Sequence, residues 1–303
     1  MDESRLFDMA AVESELLKTQ GLKVSRARSS IDEARVFSGW TVHKLEILRV
    51  FLTQYRRVAG NGTYIDGFAG QGIITVDGEQ RPGSAGVALT SGAFKSLRFY
   101  ERPRMANKLN AWLAETGTDR QRARCTVVAG DCNSRISADL ESGVIPKDKP
   151  CFAFLDPNST ELDWTTVARL AAYKADCEPP KTCKIELWIL LNTYQVLMRL
   201  LPLDGKPNTK VMNRWLGDEA GWKDLYESGA SPGQYALRYT QRLMSDFGYG
   251  LAVPLLIRDP KTQKPQYHMI HASDHKAAHE FMRWAGTNAG LDDNTPQPLP
   301  GVF

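Results

Sequence analysis

Short apolar segments alternate with helical patterns along most of this 303-residue chain, and that alternation predicts a doubly wound α/β fold. Three observations carry the expectation. Apolar stretches at 63–66, 97–101, 124–128, 151–155 and 185–191 are each followed by a helical pattern. The stretch Cys151–Leu155 is apolar throughout, as a strand covered on both faces by crossover helices must be. Strands at 250–257 and 266–271 are separated only by a turn at Asp259-Pro260-Lys261, which is too short for anything but an antiparallel pair.

The elements follow in order. Residues 3–19 carry Leu6, Met9, Val12, Leu16 and Leu17 partly on one side, as a weak amphipathic helix does. Residues 20–34 are polar and basic and read as a linker or arm. Segment 1–38 is therefore set apart from a domain over 39–290, with a tail at 291–303. From Trp40, Leu45, Leu48, Leu52 and Tyr55 recur at helical spacing, with Thr41 as the expected N-cap and Gly60-Asn61-Gly62 as the end. A loop joins strand 63–66 to a helix at 84–94, which opens after Pro82-Gly83-Ser84. Helices at 103–115, 134–142, 164–173 and 193–201 follow the next four strands. Residues 204–232 read as an irregular insertion with a short helix near 209–216. Its Trp215, Trp222 and Tyr226 suit gating or docking if exposed, and a small satellite core if buried. Helix 234–247 leads into the hairpin, and a helix at 274–285 follows it.

Composition narrows the function classes. No apolar run approaches the roughly 20 residues of a membrane helix. The start, Met1-Asp2-Glu3-Ser4, is acidic and lacks the features of a secretory leader. The five cysteines are scattered without a C-x-x-C pair, so a cytoplasmic location with reduced thiols is expected. A net charge of +3 is too small to argue for nucleic acid. The basic stretches around Lys23, Arg26 and Arg28, at Arg56-Arg57 and at Arg120, Arg122 and Arg124 suit either a nucleic acid or a solvated face.

The chemistry gathers at the strand ends. Tyr64-Ile65 runs into Asp66-Gly67-Phe68-Ala69-Gly70-Gln71-Gly72, a carboxylate followed by a glycine turn. Three more strands end near acids, namely Glu101, Asp131 and Asp156. In an open α/β sheet the ligand lies outside the carboxyl ends of the strands, so the four acids converge on one crevice. An acid inside the loop repels phosphate, which counts against a pyrophosphate cofactor such as NAD. It suits an amine or a ribose hydroxyl, and S-adenosylmethionine (SAM) offers both without any phosphate. Asp66, Gly67, Phe68, Ala69 and Gly70 are expected beside the methionine portion. Glu101 is expected at the ribose hydroxyls, and Asp131 with Cys132 at the adenine. Asp156-Pro157-Asn158 would face the transferable methyl and its acceptor. Asp156 and the Pro157 carbonyl can accept hydrogen bonds from an amine, with Asn158 adding a donor and an acceptor, so the expected acceptor is a nucleobase amine or another small polar group. Five βα units closed by an antiparallel hairpin make the SAM-methyltransferase-type variant of this sheet.

Other candidates are weaker. Cys151 opens its strand, at the wrong end for a nucleophile, and reads as a core thiol. His268 and His271 point to opposite faces of a strand. Only His275 and His279 share a helix face, so no metal site is expected.

The sequence also resembles the three-Cys-motif partner protein (TcmP) family. The likeness lies in Trp40-Thr41-Val42-His43-Lys44-Leu45-Glu46-Ile47-Leu48-Arg49, Tyr64-Ile65-Asp66-Gly67-Phe68-Ala69-Gly70, Gly83-Ser84, Phe99-Tyr100-Glu101, Gly130-Asp131 and Phe154-Leu155-Asp156-Pro157. It covers about residues 38 to 286, including the hairpin and Asp274-His275. Gln71 stands where the family pattern has Pro, and Asn158 where an aromatic is frequent. The resemblance implies a methyltransferase-like fold, SAM as cofactor, and a companion protein that carries three cysteines and resembles radical-SAM proteins. It names no acceptor, and a SAM-holding partner or scaffold that transfers nothing is the alternative.

Overall fold

The computed structural model describes residues 39–59, 61–76, 78–176, 184–202, 206–259 and 262–275. The helix expected at 3–19, the arm at 20–34, nearly all of the helix at 274–285 with His279, and the tail at 291–303 lie outside the described residues.

Helix α1 (Gly39–Ala59) leads into β1 (Gly62–Asp66). A small hairpin, β2 (Ile73–Val76) and β3 (Glu79–Pro82), precedes α2 (Ser84–Ser91) and β4 (Phe94–Glu101). Then come α3 (Pro103–Thr116), α4 (Asp119–Arg122), β5 (Cys125–Ala129), α5 (Cys132–Glu141), β6 (Cys151–Leu155), α6 (Trp164–Ala172) and β7 (Glu186–Leu191). The remainder is α7 (Leu197–Leu200), α8 (Thr209–Leu216), α9 (Glu219–Glu227), α10 (Pro232–Phe247), β8 (Leu251–Arg258) and β9 (Pro265–Ser273).

The main sheet has seven strands in the order β5-β4-β1-β6-β7-β9-β8. The first five of these run parallel, and β9 pairs antiparallel with both β7 and β8. This is the expected doubly wound sheet closed by an antiparallel hairpin. Strand β1 lies between β4 and β6, so the winding reverses beside it. Such a reversal opens a crevice at the carboxyl ends of the strands, here between Asp66 and Leu155. Every residue of β1, β6 and β7 is buried, as strands covered on both faces must be.

Two apolar layers hold the sheet. On one face α1 brings the Phe51 ring to 5.4 Å from Phe152 and 5.1 Å from Trp188, and the Tyr55 ring to 5.0 Å from Phe94. The other face includes Ile65, Ala153, Leu155, Leu187 and Ile189, packed in one cluster with side chains of α5, α6 and α10. Each large apolar side chain so buried contributes about 1.5–3 kcal/mol.

Several expectations need correcting. Thr41 does not cap α1, which starts at Gly39 and buries Thr41 inside it. The loop after β1 contains a hairpin, because β-branched Ile73, Ile74 and Thr75 pair across a Gly78 turn. Helix α2 stops at Ser91 because Gly92 adopts φ +63°, and β4 then starts at Phe94 rather than residue 97. The helix expected at 193–201 shrinks to Leu197–Leu200. The insertion holds the expected helix α8 and a second one, α9, each with an Asx N-cap at Asn208 and Asp218. Its tryptophans are not exposed: Trp215 and Trp222 are buried in the core, and the half-buried Tyr226 donates its hydroxyl to the Pro202 carbonyl at 2.5 Å. These residues extend the main core and form neither an aromatic docking face nor a separate satellite core.

Among the described residues no helix is long and apolar enough to cross a membrane, and no group of three metal-ligating side chains forms. His271 pairs with Glu186 at 2.6 Å inside the core, away from the crevice. Asp274 sits at that same far edge, accepting from the Lys184 and Gly250 amides at 3.1 Å each and so pinning the starts of β7 and β8.

Candidate cofactor crevice

The glycine turn after β1 is tied across three strand ends. The Gly67 amide donates to Phe154 O at 3.0 Å, Ala69 to Tyr100 O at 3.3 Å, and Gly70 to the Glu101 carboxylate at 3.0 Å. Two glycines are required by the backbone. Gly70 has φ +65° and open space where a side chain would stand. Gly72 has φ +88° and lies so close to Trp112 that a Cβ would fall 2.3 Å from its ring.

Asp66 sits beneath this loop and is wholly buried. It accepts from the Phe68 amide at 3.2 Å and the Tyr64 hydroxyl at 3.3 Å. Burial pushes its carboxyl up to about 7, against the downward pull of hydrogen bonds from the Ser84 hydroxyl, the Phe68 amide and Tyr64, while the charge on Asp156 adds to the rise. Asp66 therefore shapes the turn from below, and Ser84, the first residue of α2, belongs to the same small network.

Glu101 is half-buried at the end of β4. Its two oxygens accept from the Gly70 amide and, at 2.7 Å, from the Arg102 amide. Burial holds the carboxyl above its ordinary range despite these donors. Asp131 is exposed after β5 and caps α5, accepting from the Asn133 and Ser134 amides at 3.0 and 3.2 Å. Cys132 is buried, and burial, reinforced by the acids Asp131, Asp163, Glu161 and Glu101, pushes its thiol up to about 12. It is an inert neutral group among carboxylates rather than a nucleophile.

Beyond the winding reversal, Asp156 ends β6 and forms an ion pair with Lys44 of α1. The Lys44 side chain is only 6% exposed and that of Asp156 19%, so the carboxylate keeps some access to solvent. The Lys44 ammonium also lies 6.0 Å from the centre of the buried Tyr267 ring on β9. Burial, reinforced by Asp156, holds the Tyr267 phenol well above its ordinary range. Pro157 is buried and Asn158 exposed, and their carbonyls accept from Asn192 Nδ2 at 3.4 and 3.2 Å. The Pro157 carbonyl is thus already engaged, by the longer and weaker of the two contacts. Thr193 Oγ1 and His268 Nδ1 lie 2.7 Å apart, and burial pushes His268 down to about 4, so the ring is neutral near pH 7.

No family model and no curated protein matches the sequence. Solved structures do align with the fold. The methyltransferase domain of bacterial CtHen1 aligns at 12% identity over 77% of this chain and 100% of its own, with a TM-score of 0.44. A Legionella pneumophila protein aligns at 11% identity over 84% of this chain and 94% of its own, with a TM-score of 0.47. M. jannaschii TYW2, solved in complex with AdoMet, aligns at 12% identity over 78% of this chain and 76% of its own, with a TM-score of 0.37.

The four acids do share one edge of the sheet. Asp66 and Asp156 flank the winding reversal, Glu101 stands one strand further out, and Asp131 lies beyond the end of the edge strand β5. Reading strand ends alone misses Lys44, Ser84, Asn133, Asn192, Thr193, Tyr267 and His268. For Lys44 a signal exists in the sequence: it stands four residues before Leu48, a cation on the apolar stripe of α1. Asn133 ties the start of α5 to the loop before α6, donating to Glu161 O at 2.8 Å and accepting from the Asp163 amide at 2.9 Å, which no local pattern announces.

Proposed function

We propose that this protein is a SAM-dependent methyltransferase whose cofactor lies across the ends of β1, β4 and β5, with the acceptor beside Asp156. The observation that carries this reading is that Glu101, Asp66 and Asp156 stand at the carboxyl ends of three adjacent strands, β4, β1 and β6, with the winding reversal between the last two. In this reading the turn from Gly67 to Gly70 backs the methionine portion, Glu101 exchanges its backbone partners for the ribose hydroxyls, and Asp131 with Cys132 borders the adenine. Carboxylates on this side favour the ammonium and sulfonium charges of SAM and disfavour phosphate. Asp156, Pro157 and Asn158 meet the acceptor, and methyl transfer needs that group held in line with the sulfur–carbon bond.

A second reading is favoured by one observation. Asp66 and Asp156, the two acids nearest the reversal, already have partners within the chain. A protein that holds SAM without transferring its methyl, as scaffold of a three-cysteine companion, fits that arrangement. The companion rests on the family resemblance alone.

Calorimetry of the full chain with SAM, S-adenosylhomocysteine, NAD and ATP tests the cofactor. SAM and its demethylated product should bind and raise the melting temperature, since a ligand of the folded state stabilises by mass action. Binding of NAD or ATP in place of SAM sinks the reading. Labelled methyl incorporation into RNA, DNA and protein fractions then separates transferase from scaffold.

A further inference from the structure

We infer that Lys44 and Asp156 act as a pair on a hydroxyl acceptor rather than an amine, an inference that rests on the methyl-transfer reading above. Lys44 is supplied by α1 from 112 residues away, and its side chain is 6% exposed. Removing both charges from water is costly, and a purely structural contact at this place would be served as well by apolar side chains. The pair stands where the sheet winding reverses, at the end of β6, with Asp156 the more exposed member and the ammonium 6.0 Å from the centre of the Tyr267 ring.

The pairing changes which acceptor the site suits. A neutral amine gains positive charge as it takes a methyl group, and a neighbouring ammonium opposes that charge. A hydroxyl meets the opposite situation. The ammonium makes its O–H bond more acidic, and Asp156 is a carboxylate able to receive the proton. In the transfer, the acceptor O–H bond breaks and its proton passes to Asp156. The oxygen bonds to the methyl carbon, the carbon–sulfur bond breaks, and the sulfonium leaves as a neutral thioether. Net charge on the acceptor does not build up. Asp156 touches the acceptor and is the catalytic residue, whereas Lys44 is a positioning residue that holds Asp156 and polarises its surroundings. The protonated Tyr267 phenol nearby adds no competing charge.

The test uses the full chain with methyl-labelled SAM and RNA, DNA, protein and small-molecule fractions of a cell extract, with products digested and the methylated atom identified by mass spectrometry. Label on oxygen is expected. Lys44→Met should lower turnover by about a hundredfold while SAM affinity stays within about threefold, and Lys44→Arg should keep a substantial part of the activity because it keeps the charge. Label on nitrogen overturns the inference, and so does wild-type turnover in Lys44→Met. If Lys44→Met fails to fold, a Lys44→Arg protein that folds and binds SAM but is as inactive as an Asp156→Ala variant overturns it instead. SAM binding without any labelled product also overturns it and supports the scaffold reading. Failure of the wild-type protein to bind SAM removes the methyl-transfer reading itself, which calorimetry distinguishes from all the other results.

Discussion

Between β1 and β5 the crevice combines local contacts, from Phe68 to Asp66 and Asn133 to Asp131, with the longer reach of the Gly70 amide to Glu101 on the adjacent strand. Between β6 and β9 the contacts join distant residues: Lys44 to Asp156, Thr193 to His268 and Asn192 to Asn158. The first half takes its shape from backbone conformation, with glycines bending the turn and side chains capping it. The second exists only when α1, β6, β7 and β9 have docked. The difference separates two kinds of sensitivity. Substitutions in the first half should act locally, on cofactor affinity or on one helix end, while those in the second should act on the geometry offered to the acceptor.

The strongest way to break this comparison is Asp156→Ala. Turnover should fall by about a hundredfold or more, while SAM affinity stays within about threefold. Equal loss of affinity and turnover would place Asp156 in the cofactor half.

The next effect concerns Asp66. Its carboxyl, at about 7 in the folded protein against an ordinary 3.8, favours the folded state most where it is protonated. A raised folded value means that the contribution is complete below the unfolded value and is lost as pH rises towards and through 7. Between pH 5 and pH 8 that loss is about 2–3 kcal/mol. Asp66→Asn, which cannot ionise, should lack this part of the pH dependence, so denaturant unfolding of both proteins at the two pH values reads the difference. Parallel pH profiles would show that Asp66 is ionised in the folded state throughout.

Glu101→Ala sharpens the comparison from the cofactor side. SAM affinity should weaken by about tenfold, or about 1.4 kcal/mol, and the unfolding midpoint should move little because the Glu101 hydrogen bonds among the described residues go to the Gly70 and Arg102 backbone amides. An unchanged dissociation constant would remove Glu101 from the ribose position. The smallest effect is expected at Asp131. As an exposed N-cap it stabilises α5, and Asp131→Ala should cost about 1 kcal/mol in denaturant unfolding. A cost near zero would show that the Asn133 and Ser134 amides find water equally good.

The residues themselves announced the first half of the crevice more fully than the second. Glycines at 67, 70 and 72 after a strand are visible in the sequence because the turn they permit is local. The hairpin β2–β3 was also written there, in Ile73-Ile74-Thr75-Val76, yet a four-residue run cannot be told from loop by periodicity. Trp215 and Trp222 were equally visible, but exposure of an aromatic depends on what packs over it, and α10 and α6 supply that cover.

Taken alone, the order of residues determined the number of parallel strands, the closing antiparallel pair and the acids at the strand ends. Those follow from period-2 and period-3.6 patterns, which each segment carries within itself. Tertiary structure alone decided that Asp66 lies buried under its own loop, that Asp156 meets Lys44, and that His268 turns to Thr193. The reason is physical. A side chain's partner is set by the register of β6 against β1 and by where α1 settles on the aromatic face of the sheet, and both are outcomes of packing the whole core.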